Sequence, residues 1–101
     1  MDEVQVIAKR TLREFWLRHP TAETPLKLWY ARAVRARWRG PSDLRTQFGA
    51  TVDFVAGNRA IFDVGGNKYR LVVKIDYAVG LVLIRFVGVH AAYDRIDART
   101  V

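Results

Sequence analysis

Arg59-Ala60-Ile61-Phe62-Asp63-Val64-Gly65-Gly66-Asn67-Lys68-Tyr69-Arg70-Leu71-Val72-Val73-Lys74-Ile75-Asp76-Tyr77 is the stretch that decides the fold. Ala60, Phe62 and Val64 alternate with Arg59, Ile61 and Asp63, the period of two that a half-buried strand requires. Gly65-Gly66-Asn67 then breaks the pattern with residues that tolerate positive φ, the signal of a tight turn. Beyond it the alternation resumes. Tyr69, Leu71, Val73, Ile75 and Tyr77 fall on one face, and Lys68, Arg70, Val72, Lys74 and Asp76 on the other. The segment reads as a hairpin with one apolar side and one basic side.

Working downstream, Ala78 to Gly80 forms a second turn into a strand over Leu81–Val89. Its alternation groups Val82, Ile84 and Phe86 on one face, and Arg85 with Leu83 and Val87 on the other. His90-Ala91-Ala92-Tyr93-Asp94 reads as a short terminal helix. Upstream the period changes. Leu12, Phe15 and Trp16 lie at i, i+3 and i+4, one face of a helix that His19-Pro20 ends. Thr21 or Thr24 is positioned to cap a second helix, with Pro25 in its first turn. Leu26, Trp29, Tyr30, Ala33 and Val34 form its apolar stripe, Arg32, Arg35 and Arg39 lie opposite, and Gly40-Pro41 closes it. Ser42 to Phe48 offers one further helical turn, and Val4 to Ala8 is a candidate edge strand. Helices segregated from strands predict an α+β fold in one domain over residues 1–101, with helices on one sheet face.

The whole chain has 101 residues and a formal charge of +7. Residues 1–50 carry ten basic and five acidic side chains; residues 51–101 carry seven and five. Such a surplus favours phosphate polymers and anionic surfaces as partners. Cysteine is absent, which excludes disulfides, zinc–thiolate sites and thiol nucleophiles. No apolar run approaches the length of a membrane-spanning helix, and the start, with Asp2 and Glu3, lacks the pattern of a secretory signal. A cytoplasmic location without membrane attachment is expected. There is no GxxxxGK[ST] phosphate loop and no HExxH, and Asp63, Asp76 and Asp94 are scattered, so neither a metal nor a cofactor is expected.

Lys68, Arg70 and Lys74 share a strand face at roughly 7 Å per two-residue step, a spacing that suits phosphates along a single strand. An ordinary solvated face has the same pattern. His90, Tyr93 and Asp94 fall at i, i+3 and i+4, on one side of a helix. Imidazole exchanges protons near neutrality, phenol donates a hydrogen bond and carboxylate orients or accepts, yet the same trio also serves as cap and packing residues. Trp16, Trp29, Tyr69 and Tyr77 sit at core periodicity.

Ile61 to Val73 with its GNKYRLVV segment, and Ile84 to Asp97 with IRFVGVHAAYDRID, resemble the HigB toxins of bacterial type II toxin–antitoxin systems. Ala8-Lys9 to His19-Pro20 and the Trp29-Tyr30 pair fit as well, so the resemblance covers nearly the whole chain. It implies a RelE-like fold: two N-terminal helices packed on a twisted antiparallel sheet, with a short C-terminal helix. It implies a metal-independent endoribonuclease that cuts mRNA on translating ribosomes. It also implies neutralisation by a HigA-like helix-turn-helix antitoxin, with promoter DNA bound only through that complex. On this resemblance Arg70, Arg85, His90 and Tyr93 are the expected catalytic residues, and Asn67, Lys68, Arg70, Lys74 and Asp94 the expected RNA contacts. Val89 departs from the pattern, because many relatives carry threonine directly before the histidine. A basic RNA- or ribosome-binding module without catalysis is the alternative reading.

Overall fold

In the computed structural model, which describes residues 5–101, the sheet has five strands in the order β1-β5-β4-β3-β2. The strands are β1 (Gln5–Ile7), β2 (Val52–Val55), β3 (Arg59–Val64), β4 (Tyr69–Asp76) and β5 (Leu81–Val89). Strands β2 to β5 form the expected antiparallel meander. The edge strand read at Val4–Ala8 is present as β1, Val4 lying outside the described residues. It pairs parallel to β5, so the sheet is mixed rather than wholly antiparallel. That pairing is open to β1 because the helices intervene before the chain returns to the sheet, the long crossover that parallel neighbours need.

Helix α1 (Lys9–Arg18) buries Leu12, Phe15 and Trp16, and α2 (Glu23–Val34) buries Leu26, Trp29 and Ala33, as the stripes predict. Neither threonine caps α2. A single 3₁₀ turn over Pro20–Ala22 leads into it, and Thr21 instead hydrogen-bonds the Tyr69 hydroxyl. Helix α2 also stops at Val34, six residues short of Gly40. At about 100° per residue, a continued helix would aim Trp38 roughly 120° from Leu26, toward solvent. Leaving the helix returns Trp38 to the core at 5% exposure, where its Nε1 donates to Gln47 Oε1 at 2.8 Å. The single turn expected after it is a full helix, α3 (Pro41–Phe48). Asp43 in its first turn accepts from the Arg39 amide, which ties the residue ahead of the Gly40 N-cap to the start of the helix. Three helices, not two, therefore precede the meander. Strand β2, which the sequence reading passes over, follows α3.

The main core lies between these helices and one sheet face. Phe62 at its centre packs edge-on against Trp29 and Phe48, with ring centroids 5.3 and 4.9 Å away. Ala60, Phe62 and Val64 oppose Val73, Leu71 and Tyr69 across β3 and β4, all on this face. One irregularity redirects β5. Val72 pairs with Phe86 but Val73 pairs with Ile84, leaving Arg85 as an extra residue. The bulge reverses the alternation. Val82 and Ile84 face the helices before it; Val87 and Val89, opposite Leu71 and Tyr69, do so after it. Phe86 is thereby moved to the opposite face, beside Ile61 and Val72, which corrects its grouping with Val82 and Ile84.

That second face is not bare. After α4 (His90–Tyr93), the expected terminal helix, the chain folds back across it. Tyr93, Ile96, Ala98 and Val101 pack with Ile61, Val72 and Phe86 into a second, smaller apolar cluster.

Candidate nucleic-acid interface

The turn between β3 and β4 sets the site. Gly65, Gly66 and Asn67 all have positive φ, so the loop closes tightly and places Asp63 directly opposite Arg70. Arg70 Nη1 lies 2.9 Å from Asp63 Oδ1 and donates to Asn67 Oδ1 at 2.9 Å. The two side chains of the ion pair are only 16% and 27% exposed, so the guanidinium is held in one orientation with limited screening. Both contacts use Nη1. Among the described residues Nε and Nη2 make no hydrogen bond, which leaves the edge that recognises a phosphate in a fork unoccupied.

Two further groups reach this turn, one to the guanidinium and one to Asn67. The Tyr93 ring centroid is 5.9 Å from Arg70 Cζ, a cation–π distance. His90 reaches across from the start of α4, and its Nε2 is hydrogen-bonded to the Asn67 main-chain oxygen. A carbonyl can only accept, so Nε2 is the donor in this contact, and Nδ1 is the ring nitrogen left outside it. Asn67 therefore joins the site, its side-chain oxygen on Arg70 and its main-chain oxygen on His90. Gly88, opposite Arg70, admits the Phe86 ring; a Cβ there would stand 2.6 Å from Phe86 Cζ.

Four of the expected residues, Asn67, Arg70, His90 and Tyr93, are thus brought together. Lys68 is exposed in the turn beside them. Asp94 is exposed after α4, and its amide donates to the His90 carbonyl at 2.9 Å, closing that turn. Lys74 is exposed four residues along β4 from Arg70, roughly 13 Å at the strand rise. It faces Arg59 on β3 and Leu83 on β5. Arg85 does not join the cluster; its Nε donates to the Val101 main-chain oxygen at 3.1 Å.

Asp63 and Arg59 are the participants that the sequence reading missed. Their signal is the turn itself: with Val64 opposite Tyr69, counting back pairs Asp63 with Arg70 and Arg59 with Lys74. On the helical side, Arg32 donates to the Gln47 carbonyl at 2.7 Å and lies 4.4 Å over the Phe48 ring, so it braces α3. Among the described residues no helix is long and apolar enough to cross a membrane.

The chain is 24% identical over 94 residues to the mRNA interferase HigB of Escherichia coli O6:H1 (strain CFT073), covering 92% of this chain and 91% of that protein. A family model described as the HigB toxin, the RelE-like toxic component of a toxin-antitoxin system, matches residues 22–96. That span contains the whole meander, the Asp63–Arg70 pair, His90 and Tyr93, and it shows that this chain belongs to the HigB toxin family.

Proposed function

We propose that this protein is an mRNA-cleaving toxin that inhibits translation, and that the Arg70 cluster is its active site. The observation carrying this reading is a guanidinium fixed by Asp63 and Asn67 with its Nε/Nη2 edge free, beside an imidazole whose Nδ1 is left free. The resemblance to an mRNA interferase supports the same substrate.

The chemistry is a transesterification. The ribose 2′-hydroxyl gives its proton to a base, and its oxygen bonds to the adjacent phosphorus. The P–O5′ bond breaks and the 5′-oxygen takes up a proton, leaving a 2′,3′-cyclic phosphate and a 5′-hydroxyl. Arg70 neutralises the charge that grows on the phosphoryl oxygens. His90 Nδ1 is the proton-transfer group, with Nε2 held by the Asn67 carbonyl. Tyr93 stacks on a base or positions the 2′-hydroxyl. Lys68, Lys74 and Asp94 contact the flanking RNA. The reaction is metal-independent, as the resemblance to this family implies. The partners follow from the family: a helix-turn-helix antitoxin of the HigA type, through which promoter DNA is bound, and the translating ribosome, in the cytoplasm.

Primer extension on messages after brief expression, and on programmed ribosomes in vitro, tests this. Discrete new 5′ ends are expected. Stalled but intact message would replace the nuclease with a non-catalytic RNA- or ribosome-binding module. A pH–rate profile left unchanged by His90→Ala would return His90 to a structural role.

A further inference from the structure

Strand β3 runs past the end of its neighbour β2. The pairing stops at Phe62, opposite Val52, so among the described residues Asp63 and Val64 form an open sheet edge. Between this edge, α2 and the end of α3 lies a cavity of about 230 Å³. Pockets for drug-sized ligands run to about 300–1,000 Å³, so this one suits a single planar ring system. Its polar groups are few. Trp29 forms part of the wall, and its Nε1 is buried with no hydrogen-bond partner among the described residues. Such an orphan donor is rare in a folded protein, and an acceptor brought to it restores a missing hydrogen bond. Asp63 belongs to the same wall. Only its Oδ1 is engaged, by Arg70; Oδ2 makes no hydrogen bond among the described residues. Arg32 is exposed and lies 4.4 Å over the Phe48 ring, and both residues line the cavity. A guanidinium plane is a platform on which an unpaired base stacks.

We infer that this cavity receives the nucleobase next to the scissile linkage, stacked on Arg32, with its edge read by the Trp29 Nε1–H donor and the free Asp63 oxygen. The inference rests on the nuclease reading and names how that site selects its RNA. Asp63 carries the argument, because one residue borders both places: it orients Arg70 and it lines the cavity. Strand β4 and the open edge of β3 are one strand spacing apart, roughly 5 Å, so an RNA strand with its phosphate on Arg70 brings a neighbouring base to the cavity. A base edge that sets an acceptor beside an N–H satisfies both protein groups, whereas an apolar ligand satisfies neither. Leu28, 61% exposed, and Pro25 line the same cavity and give the ring an apolar flank.

The test uses the full chain and 2′-O-methyl oligonucleotides, which bind but lack the attacking hydroxyl, each with one abasic residue at a successive position. Removing the base at one position beside the scissile linkage is expected to weaken binding about tenfold, the scale of one lost base stack. Arg32→Lys keeps the charge and loses the plane. It should weaken binding of the intact oligonucleotide by a similar factor and abolish the abasic penalty at that position alone. A penalty that Arg32→Lys leaves unchanged at every position would overturn the site. The Trp29 indole N–H proton resonance of the unaltered protein gives a readout independent of any variant's folding. It should move downfield with the intact oligonucleotide and not with the abasic one; a resonance that stays in place counts against the inference. Cleavage of an all-ribose substrate, run in parallel, separates the two readings. Normal cleavage without the Arg32 coupling removes only the base site; coupling without cleavage by wild type removes only the nuclease.

Discussion

Two ends of one sheet face treat the same side chain differently. At the turn end, Arg70 is pinned by a carboxylate and an amide oxygen, both on Nη1. Toward the middle, Arg59 and Arg85 share one main-chain oxygen. A fixed ion pair gives orientation: the guanidinium has one pose and offers one edge. Two arginines on one oxygen instead tie the tail to the sheet. The first end offers a free guanidinium edge, and the second has its arginines engaged by the tail.

The largest expected effect is at the pinned end. Arg70→Ala should lower single-turnover cleavage by about 10²–10³-fold, the usual loss when one donor to a developing charge is removed. Because the partner charge grows in the transition state, affinity for uncleaved RNA should fall far less. An Arg70→Ala enzyme with a near-normal rate, or one whose loss lies entirely in binding, would erase the distinction between the two ends.

Next comes the pin itself. Asp63→Asn removes the carboxylate but keeps its shape, freeing Arg70 to other poses. Cleavage should fall by roughly tenfold through misplacement alone. Thermal unfolding should show a loss of about 1–3 kcal/mol, the scale of a charged hydrogen bond in a half-desolvated place. If cleavage instead rises, the ion pair restrains the arginine rather than aiming it.

A smaller effect is expected at Gly88, where the two ends meet. Gly88→Ala drives a Cβ into the Phe86 ring, which packs in the cluster that includes Tyr93, Ile61 and Val72. Overpacking of this kind costs about 1–3 kcal/mol. Chemical-shift changes should spread both ways, to Tyr93 and to Val101, whereas changes confined to one side would show that the ends are uncoupled.

Much of this was legible in the sequence. The apolar stripes of α1 and α2 and the strict alternation of β3 and β4 are local periodicities, and each maps to the buried face it predicts. Asn67 and Arg70 are close in sequence, and so are His90 and Tyr93, which is why each pair could be singled out; that the two pairs meet is a contact across 23 residues. The failures have a common physical origin in contacts distant along the chain. Trp38 leaves a helical pattern because the core can accommodate it only off the helix. A bulge of one residue turns Phe86 over, and nothing in alternation alone marks where a bulge falls. The tail that covers the open face is chosen by Ile61 and Val72, apolar residues on the basic strand face, and by Phe86, which the bulge turns onto it.

The smallest effect concerns the tail and follows from its own charges. Arg99 donates to the Asp97 carboxylate from Nε and Nη2, each at 3.0 Å, and the Arg99 amide donates to it at 2.9 Å. These hydrogen bonds, the side-chain ones foremost, hold the Asp97 pKa below the ordinary carboxylate value. A group depressed in the folded state stabilises that state above its unfolded pKa. The contribution disappears as pH falls through the lower, folded value. Asp97 also accepts the Thr100 and Val101 amides on its main-chain oxygen, so it organises the turn that presents Val101 to the two arginines. Acidification below the usual carboxylate range should therefore loosen residues 97–101 locally. Amide exchange at Thr100 and Val101 should accelerate there, and Asp97→Asn should show the faster exchange already at neutral pH. The turn end carries its own carboxylate, Asp63, so the control is the β3–β4 turn. If exchange there rises in step with the tail in Asp97→Asn, the two ends form one unit; if only the tail responds, the tail end opens independently of the Arg70 end.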